Sequence, residues 1–336
     1  MLLVCVLGTA PKTLGDSVRD LQLRLALPAP RTKQLALQLK RRNQRLMELS
    51  DGRVSLRVYW GGAAGDERTV LRKMRSGQID GTAFTLNTVS EFVREALVLE
   101  APALCLKYKQ LQALRAELVP RFNAEASRNG FKILAWGDFG RLRYFSKHPI
   151  RKPSDFRAVR PWTLPRSEMM RELYHLLGTE GIALELSEVY GGMVTGMIDT
   201  FWGTSAIASM LQWHHTARYV SAPMGFINGA LVLSQNAWDR LPQDVHEDLE
   251  RLVDDEAASL QLQFRAGDAR AHQRLLTRGY EELAWTELDA WWALGHRLRR
   301  RLIGRVYTAE LLQRVEAVAL RHADPLQVRA FAVQRP

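Results

Sequence analysis

The order of hydrophobic periods at the start of this chain constrains its fold more than any other feature. Residues 21–27 (Leu-Gln-Leu-Arg-Leu-Ala-Leu) alternate apolar and polar, the period of a strand with one buried face. Residues 32–49 change to the helical period of about 3.6. Asp51-Gly52 supplies a turn, and residues 54–60 alternate again. Gly61-Gly62-Ala63-Ala64-Gly65 reads as a loop, Asp66 as the cap of a helix through Arg75, and Gly77 as its stop. Residues 79–84 form a third strand. A β-α-β-α-β order demands parallel strands with helices on the sheet faces, so the chain belongs to the α/β class.

The remainder continues in short units. A helix over residues 110–129, closed by Gly130, precedes strand-like stretches at 131–136 and 142–146. Residues 148–153, with two prolines, read as a crossover. A second run of strands and helices follows: strands at 158–163, 182–186 and 198–202, and helices over 166–177 and 187–195 that stop at Gly178 and Gly196. Strands at 218–221 and 229–234 come next, then one amphipathic helix over 243–277. Residues from 281 on read as helical and carry Trp285, Trp291, Trp292 and many arginines.

Composition narrows the class. A chain of 336 residues with 46% hydrophobic and 25% charged residues is neither disordered nor membrane-spanning, and it is long enough for two domains. The formal net charge of +11 raises nucleic acid as a partner. The arginines are interleaved with acids, however, and the one dense cluster, residues 297–301, comes with no binding motif, so no nucleic-acid partner is expected. Residues 1–10 resemble the later part of a signal peptide, with an apolar run and a small-residue end. The two cysteines, Cys5 and Cys105, make no disulfide framework.

Several local strings then point to a family. These are Gly52-Arg53-Val54, Gly61-Gly62, Gly65-Asp66-Glu67 and residues 74–80 (Met-Arg-Ser-Gly-Gln-Ile-Asp). Further on come residues 152–156 (Lys-Pro-Ser-Asp-Phe), residues 186–190 (Leu-Ser-Glu-Val-Tyr) followed by residues 196–199 (Gly-Met-Ile-Asp), and residues 236–242 before the long helix. In this order and spacing they resemble the extracytoplasmic solute-binding proteins of TRAP (tripartite ATP-independent periplasmic) transporters. The resemblance implies a two-lobed periplasmic-binding-protein-like fold, with hinge strands and a long helix spanning both lobes. It divides the chain into a partial signal peptide and linker (1–19), lobe I (20–145 with 228–258), lobe II (146–227), the long helix (243–277) and a C-terminal helical extension (278–336). It also implies a periplasmic location, capture of a ligand by lobe closure and delivery to membrane permease subunits.

The chain departs from the family where a ligand is held. Members grip a carboxylate with an arginine at the end of a second-lobe strand, a task suited to guanidinium geometry. That position falls on Trp162, with Arg160 two residues earlier. A second arginine of sialic-acid-binding relatives falls on Leu142, flanked by Arg141 and Arg143, which would point the other way on a strand. A family asparagine falls on Gly203. An unpaired buried anion is costly. We therefore expect a small-molecule or lipid ligand that is mostly hydrophobic: a lipid, a sterol or a long-chain acid. Its site is expected to be lined by Trp60, Phe84, Leu142, Trp162, Leu186, Tyr190, Met193, Trp202 and Gly203, with Arg143 or Arg160 as candidate grips for a carboxylate. Glu67, in the first turn of its helix, is a candidate to orient a ligand hydroxyl, or else it serves the helix dipole. An ordinary small organic acid, or a sensing role for a signalling partner, is the alternative. The C-terminal extension exceeds what closure needs and is a candidate to dock a helical-repeat periplasmic protein.

Catalytic patterns are missing. Among the eight histidines His214-His215 are adjacent and poorly placed to share a metal, and the sequence has no His-Glu-x-x-His, Cys-x-x-Cys, nucleophile elbow or P-loop. No enzyme, metal or cofactor is expected.

Overall fold

The computed structural model of the chain describes residues 21–323 together with 327 and 328. The signal-peptide reading and Cys5 fall outside the described residues. β1 (Leu21–Ala26), α1 (Lys33–Leu49), β2 (Val54–Tyr59), α2 (Glu67–Arg75) and β3 (Gly81–Thr85) follow in the order read from the sequence. Both helices start on side-chain caps: Thr32 Oγ1 accepts from the Leu35 amide at 3.2 Å, and Asp66 Oδ1 from the Thr69 amide at 2.6 Å. β1 lies between β2 and β3 and pairs parallel with both.

The chain continues through α3 (Leu86–Val89), α4 (Tyr108–Arg128), β4 (Phe131–Ser146), β5 (Trp162–Thr163), α5 (Glu168–Leu177), β6 (Ile182–Ala183), α6 (Val189–Thr195) and β7 (Thr200–Gly203). It returns through α7 (Ser205–Met210), β8 (Tyr219–Ser221), β9 (Gly225–Ser234), α8 (Gln235–Asp239) and α9 (Gln243–Thr277). It ends in β10 (Glu281–Leu283), α10 (Leu288–Arg301) and α11 (Ala309–Leu320). One sheet has the strand order β2-β1-β3-β9-β4. A second is built on the far end of β4, which lies between β7 and β8, with β10 outside β8. These sheets are the frames of two lobes. Against the first, Trp238 of α8, Leu241 after it, and Val245 and Leu249 of α9 cluster with Leu23, Leu46 and Val54.

Three expectations need correction. Residues 131–146 are not two strands but one strand of 16 residues. Its first part pairs with β9 from Phe131 opposite Ser234 to Leu142 opposite Gly225, and its last part pairs with β7 and β8. The lobes are therefore crossed by β4 itself, not at residues 148–153. The sequence Gly137-Asp138-Phe139-Gly140 looks like a break because it holds a bulge, with one register shift between Asp138 and Gly140 and another upstream between Ile133 and Ala135. Gly140 sits there at φ +120°, and a Cβ on it would lie 2.6 Å from the Asp268 carboxyl. The bulge frees backbone groups, and α9 satisfies them: Gln261 accepts from the Asp138 amide and donates to its carbonyl, and Asp268 accepts from the Arg141 amide.

The second correction is the length of β5 and β6, which shrink to two residues each: β5 lies between Pro161 and Pro165, neither of which offers an N–H to continue a ladder, and β6 pairs with β5 over the same two residues. The third is β10. Residues 281–283 are not helical but form an edge strand beside β8, where Arg218, Tyr219 and their neighbours leave backbone groups open to pairing.

Candidate ligand-binding site

Alternation along β4 builds the site. Leu142 and Tyr144 leave the strand on one side and Arg143 on the other. Leu142 and Tyr144 face a cavity between the lobes with an enclosed volume of about 150 Å³. The first lobe supplies Leu99, Glu100 and Cys105 from residues 97–106, and Phe226 and Ile227 from β9. The second supplies Met169, Met170 and Leu173 from α5, and Trp202 from β7. The third wall is the C-terminal segment, with Trp285 ahead of α10 and Leu288, Trp291, Trp292 and Leu294 on it. Gly295 lets α10 come close, since a Cβ there would lie 2.8 Å from Ala103 and 3.2 Å from the Pro102 carbonyl. Arg299 then fixes α10 by donating to that carbonyl at 2.7 Å and to Glu316 at 3.0 Å.

The indoles are held from behind. Trp202 stacks on Trp162 with ring centroids 4.9 Å apart, and Trp162 meets Trp213 edge-on at 5.6 Å. Trp285 meets Trp291 at 4.6 Å. The Nε1 atoms of Trp202 and Trp285 are buried and have no hydrogen-bond partner.

No arginine, lysine or histidine is among the described residues that line the cavity. Its one carboxyl is Glu100, which accepts from the Asn228 amide at 2.6 Å; burial pushes it up to about 7, against the opposing pull of Asn228. Burial likewise pushes the Cys105 thiol up to about 12, which leaves it inert as a nucleophile near neutral pH.

The cations lie behind the wall. Arg143 donates to the Ser221 carbonyl at 2.8 Å and to Glu282 at 2.7 Å, and His272 Nε2 lies 3.2 Å from the same glutamate oxygen. Nearer the bulge, Asp138 pairs with Arg265 at 2.8 Å and Arg115 at 3.3 Å, with its own side chain fully buried.

Of the residues singled out in the sequence, Leu142 and Trp202 are the two that line this cavity. Trp162 is not at the surface of the cleft: it is fully buried behind Trp202 and donates to the Leu184 carbonyl at 2.9 Å. Phe84 is buried in β3, and Met193 in the core of the second lobe. Arg143 is spent on Glu282. Arg160 is exposed and lies 3.4 Å from Asp199. Leu186 and Tyr190 are exposed, Trp60 lies in the loop after β2, and Gly203 pairs with Arg143 at the end of β7; none of the four lines the cavity. Glu67 has its oxygens taken by the Thr85 amide at 3.1 Å and the Thr85 hydroxyl at 2.8 Å, with burial raising its carboxyl. It lines a separate small cavity beside Gly65 and Tyr59. Sequence reading missed the C-terminal wall. The density of tryptophan between Trp285 and Trp292 was the available signal, and its place in the cavity gives that segment a role without a partner protein.

A cleft walled by both lobes and shaped for an enclosed small molecule defines a two-lobed solute-binding protein. Residues 27–294 match the family described as bacterial extracellular solute-binding protein, family 7, and the chain belongs to this family of extracytoplasmic, TRAP-type binding proteins. The chain is 22% identical over 235 residues to a solute-binding protein of Chromohalobacter salexigens, covering 69% of this chain and 70% of that one. It is 22% identical over 222 residues to the C4-dicarboxylate-binding periplasmic protein DctP of Vibrio cholerae, covering 63% and 64%. The matches thus span about two thirds of these curated relatives. A crystal structure of a TRAP periplasmic solute-binding protein from Chromohalobacter salexigens with bound D-glucuronate superposes with a TM-score of 0.80 at 18% identity, covering 90% of this chain and 100% of that chain. The family is one of binding proteins rather than enzymes.

Proposed function

We propose that this protein captures a mostly hydrophobic ligand in the cavity between its lobes and delivers it to the membrane subunits of a TRAP transporter. The observation that carries this reading is the cavity wall: four tryptophans, three methionines and aliphatic side chains, without a cationic group among the described lining residues. A carboxylate moved into such a wall loses its hydration and gains no cationic partner, a cost of several kcal/mol. An apolar group gains about 0.8 kcal/mol for each CH₂ it buries. The enclosed volume of about 150 Å³ suits one small ring or a short chain end. Of the lipid, sterol and long-chain-acid classes, it favours a ligand that inserts a terminus and leaves its remainder towards the mouth of the cleft. Closure would turn on β4 at the Gly140 bulge and on α9, the two elements that run along both lobes.

A small organic acid is the second reading, favoured by the dicarboxylate in the name of one relative and the glucuronate bound to a solved one. Calorimetry separates the two. Binding of medium-chain lipids or small aromatic compounds, with no heat from succinate or glucuronate, supports the hydrophobic ligand. Tight binding of succinate or glucuronate with none for apolar probes would overturn it. Native mass spectrometry of protein purified from its own host adds a direct view of any ligand carried along.

A further inference from the structure

We propose that the end of the ligand that enters the cavity carries a protonated amine, received by the Glu100 carboxylate among the aromatic rings of the wall. The inference rests on the hydrophobic-ligand reading and adds the one charge that such a ligand carries. Glu100 is the single carboxyl of the lining, and no lysine, arginine or histidine stands beside it there among the described residues. Its chain neighbours Leu99 and Ala101 are buried, whereas Glu100 keeps accessible surface, and the space it lines is the cavity. Its Oε1 accepts from the Asn228 amide at 2.6 Å. The Asn228 side chain also favours the charged form, but Oε2 makes no direct hydrogen bond among the described residues and is not one of the unpartnered atoms sealed from solvent. The wall thus leaves one acceptor open to a guest.

An ionised carboxylate only accepts. A guest that meets it with a positive donor makes a charge-assisted hydrogen bond, roughly twice as strong as a neutral one. The rings act in the same direction, because a cation is attracted to the face of an aromatic ring, and to tryptophan most of all. Trp202, Trp285, Trp291 and Trp292 line the cavity with Tyr144 and Phe226. Arg141 lies over Phe226, but among the described residues no arginine or lysine lies over any of the four tryptophans. Elsewhere in the chain a tryptophan does carry such a cover: Lys132 lies over Trp238.

The charges around Glu100 leave room for a cation. Arg115 of α4 favours its ionised form, but that guanidinium is engaged with Asp138 at 3.3 Å and with the Asn228 side chain at 2.6 Å. Glu67 of α2 opposes ionisation, and burial opposes it most, so the carboxyl is pushed up to about 7. A bound ammonium supplies the close positive partner that burial otherwise denies. An anion meets repulsion there instead, and a neutral guest gains the ring contacts alone.

The test uses four probes of similar size: benzylamine, benzyl alcohol, toluene and benzoate, titrated calorimetrically into the full protein at pH 8. They share a ring and differ in carrying a cation, a neutral hydroxyl, no polar group or an anion. We expect benzylamine to bind about 10-fold or more tighter than benzyl alcohol, and benzoate to bind most weakly. Glu100→Gln keeps the shape and removes the charge. Benzylamine should lose about 10- to 100-fold in this variant, while toluene affinity holds within about two-fold and so reports an intact wall. The unaltered protein gives a second readout: benzylamine should weaken by about 10-fold between pH 8 and about pH 5.5, as Glu100 takes up its proton, and toluene should not. Benzyl alcohol or toluene as the tightest probe, or an unchanged benzylamine affinity in Glu100→Gln, overturns this inference and leaves the hydrophobic-ligand reading standing. Benzoate as the tightest probe, or binding of none of the four, overturns both.

Discussion

On one side of β4, Leu142 and Tyr144 face an apolar cavity; on the other, Asp138 and Arg143 sit in buried ionic networks. The strand is the same: alternation separates Arg143 from Leu142 and Tyr144, and the register shift between Asp138 and Gly140 interrupts that alternation before Asp138. The chain is strongly basic, with 47 lysines and arginines against 36 acids, yet none of that excess reaches the cavity wall among the described residues. Three cations near the cleft are matched to internal carboxylates, while Arg141 lies over the rings of Tyr108 and Phe226. Arg115 and Arg265 hold Asp138, and Arg143 holds Glu282. A buried pair of this kind adds little net stability but is costly to break from one side. The cavity wall has the opposite profile: truncating a residue there removes ligand contacts and leaves no stranded charge.

The largest effect should therefore come from the ionic face. Asp138→Ala leaves two partly buried guanidinium groups without their carboxylate, and we expect a loss of roughly 3–5 kcal/mol in denaturant unfolding. A loss below about 1 kcal/mol would show that water reaches this network and would erase the contrast between the two faces.

The cavity face should respond in ligand affinity. Trp285→Ala removes a large apolar surface from the wall, and we expect about 10- to 100-fold weaker binding of an apolar probe such as ethylbenzene by calorimetry. The melting temperature should move much less than for Asp138→Ala. Equal effects of the two substitutions on probe affinity would mean that the faces are coupled through β4.

The first three strands and the long helix were legible from their hydrophobic periods, and the two helices between the strands from their caps as well: Thr32, Asp66 and Gly77 mark ends that the structure shows. The alternation that turns Arg143 away from Leu142 was legible for the same reason. The bulge was not, because Gly137 and Gly140 carry the signature of a turn, and what holds them in a strand is distant in sequence: the ladder with β9 and the side chains of α9. Trp162 was misplaced because strand position says which way a side chain points but not what covers it. Trp202 and Trp213 enclose its ring, and both come from later strands and turns. The C-terminal wall depended on Gly295 and Arg299 docking α10 on Pro102, a contact across almost two hundred positions that no local pattern announces.

Glu100 is the one ionisable carboxyl of the apolar wall, so it tests the comparison through pH. Its folded-state pKa of about 7 lies above the ordinary carboxylate value. Between the two values the folded protein holds a proton that the unfolded chain has released, so stability falls as pH rises from about 4.5 to about 7 and stays lowered above. Glu100→Gln removes the titration. We expect the variant to be more stable than the natural protein by roughly 3 kcal/mol at pH 8 and indistinguishable from it near pH 4, by urea unfolding at each pH. A gain that is the same at both values would mean that the carboxyl is not kept from water.

The smallest effect belongs to the ion pairs outside both regions. Arg305, at the end of the α10 segment, reaches Glu168 at 2.8 Å and Glu172 at 3.0 Å on α5, and Arg301 reaches Glu172 at 2.6 Å. These pairs tie the C-terminal wall to the second lobe, and Arg301 followed by Arg305 holds the Glu172 carboxyl below its usual value. Their contribution is present above the ordinary carboxylate range and is lost as pH falls through the lowered value. The Arg305 side chain is 40% exposed, so solvent and salt screen what the Asp138 network keeps. Arg305→Ala should cost about 0.2–1 kcal/mol, and a double-mutant cycle with Glu172→Ala should give a coupling that shrinks at high salt. A coupling above about 2 kcal/mol that is insensitive to salt would place these arginines with Arg115 and Arg265 rather than with the surface, and would make the closure of the C-terminal wall an ionic lock.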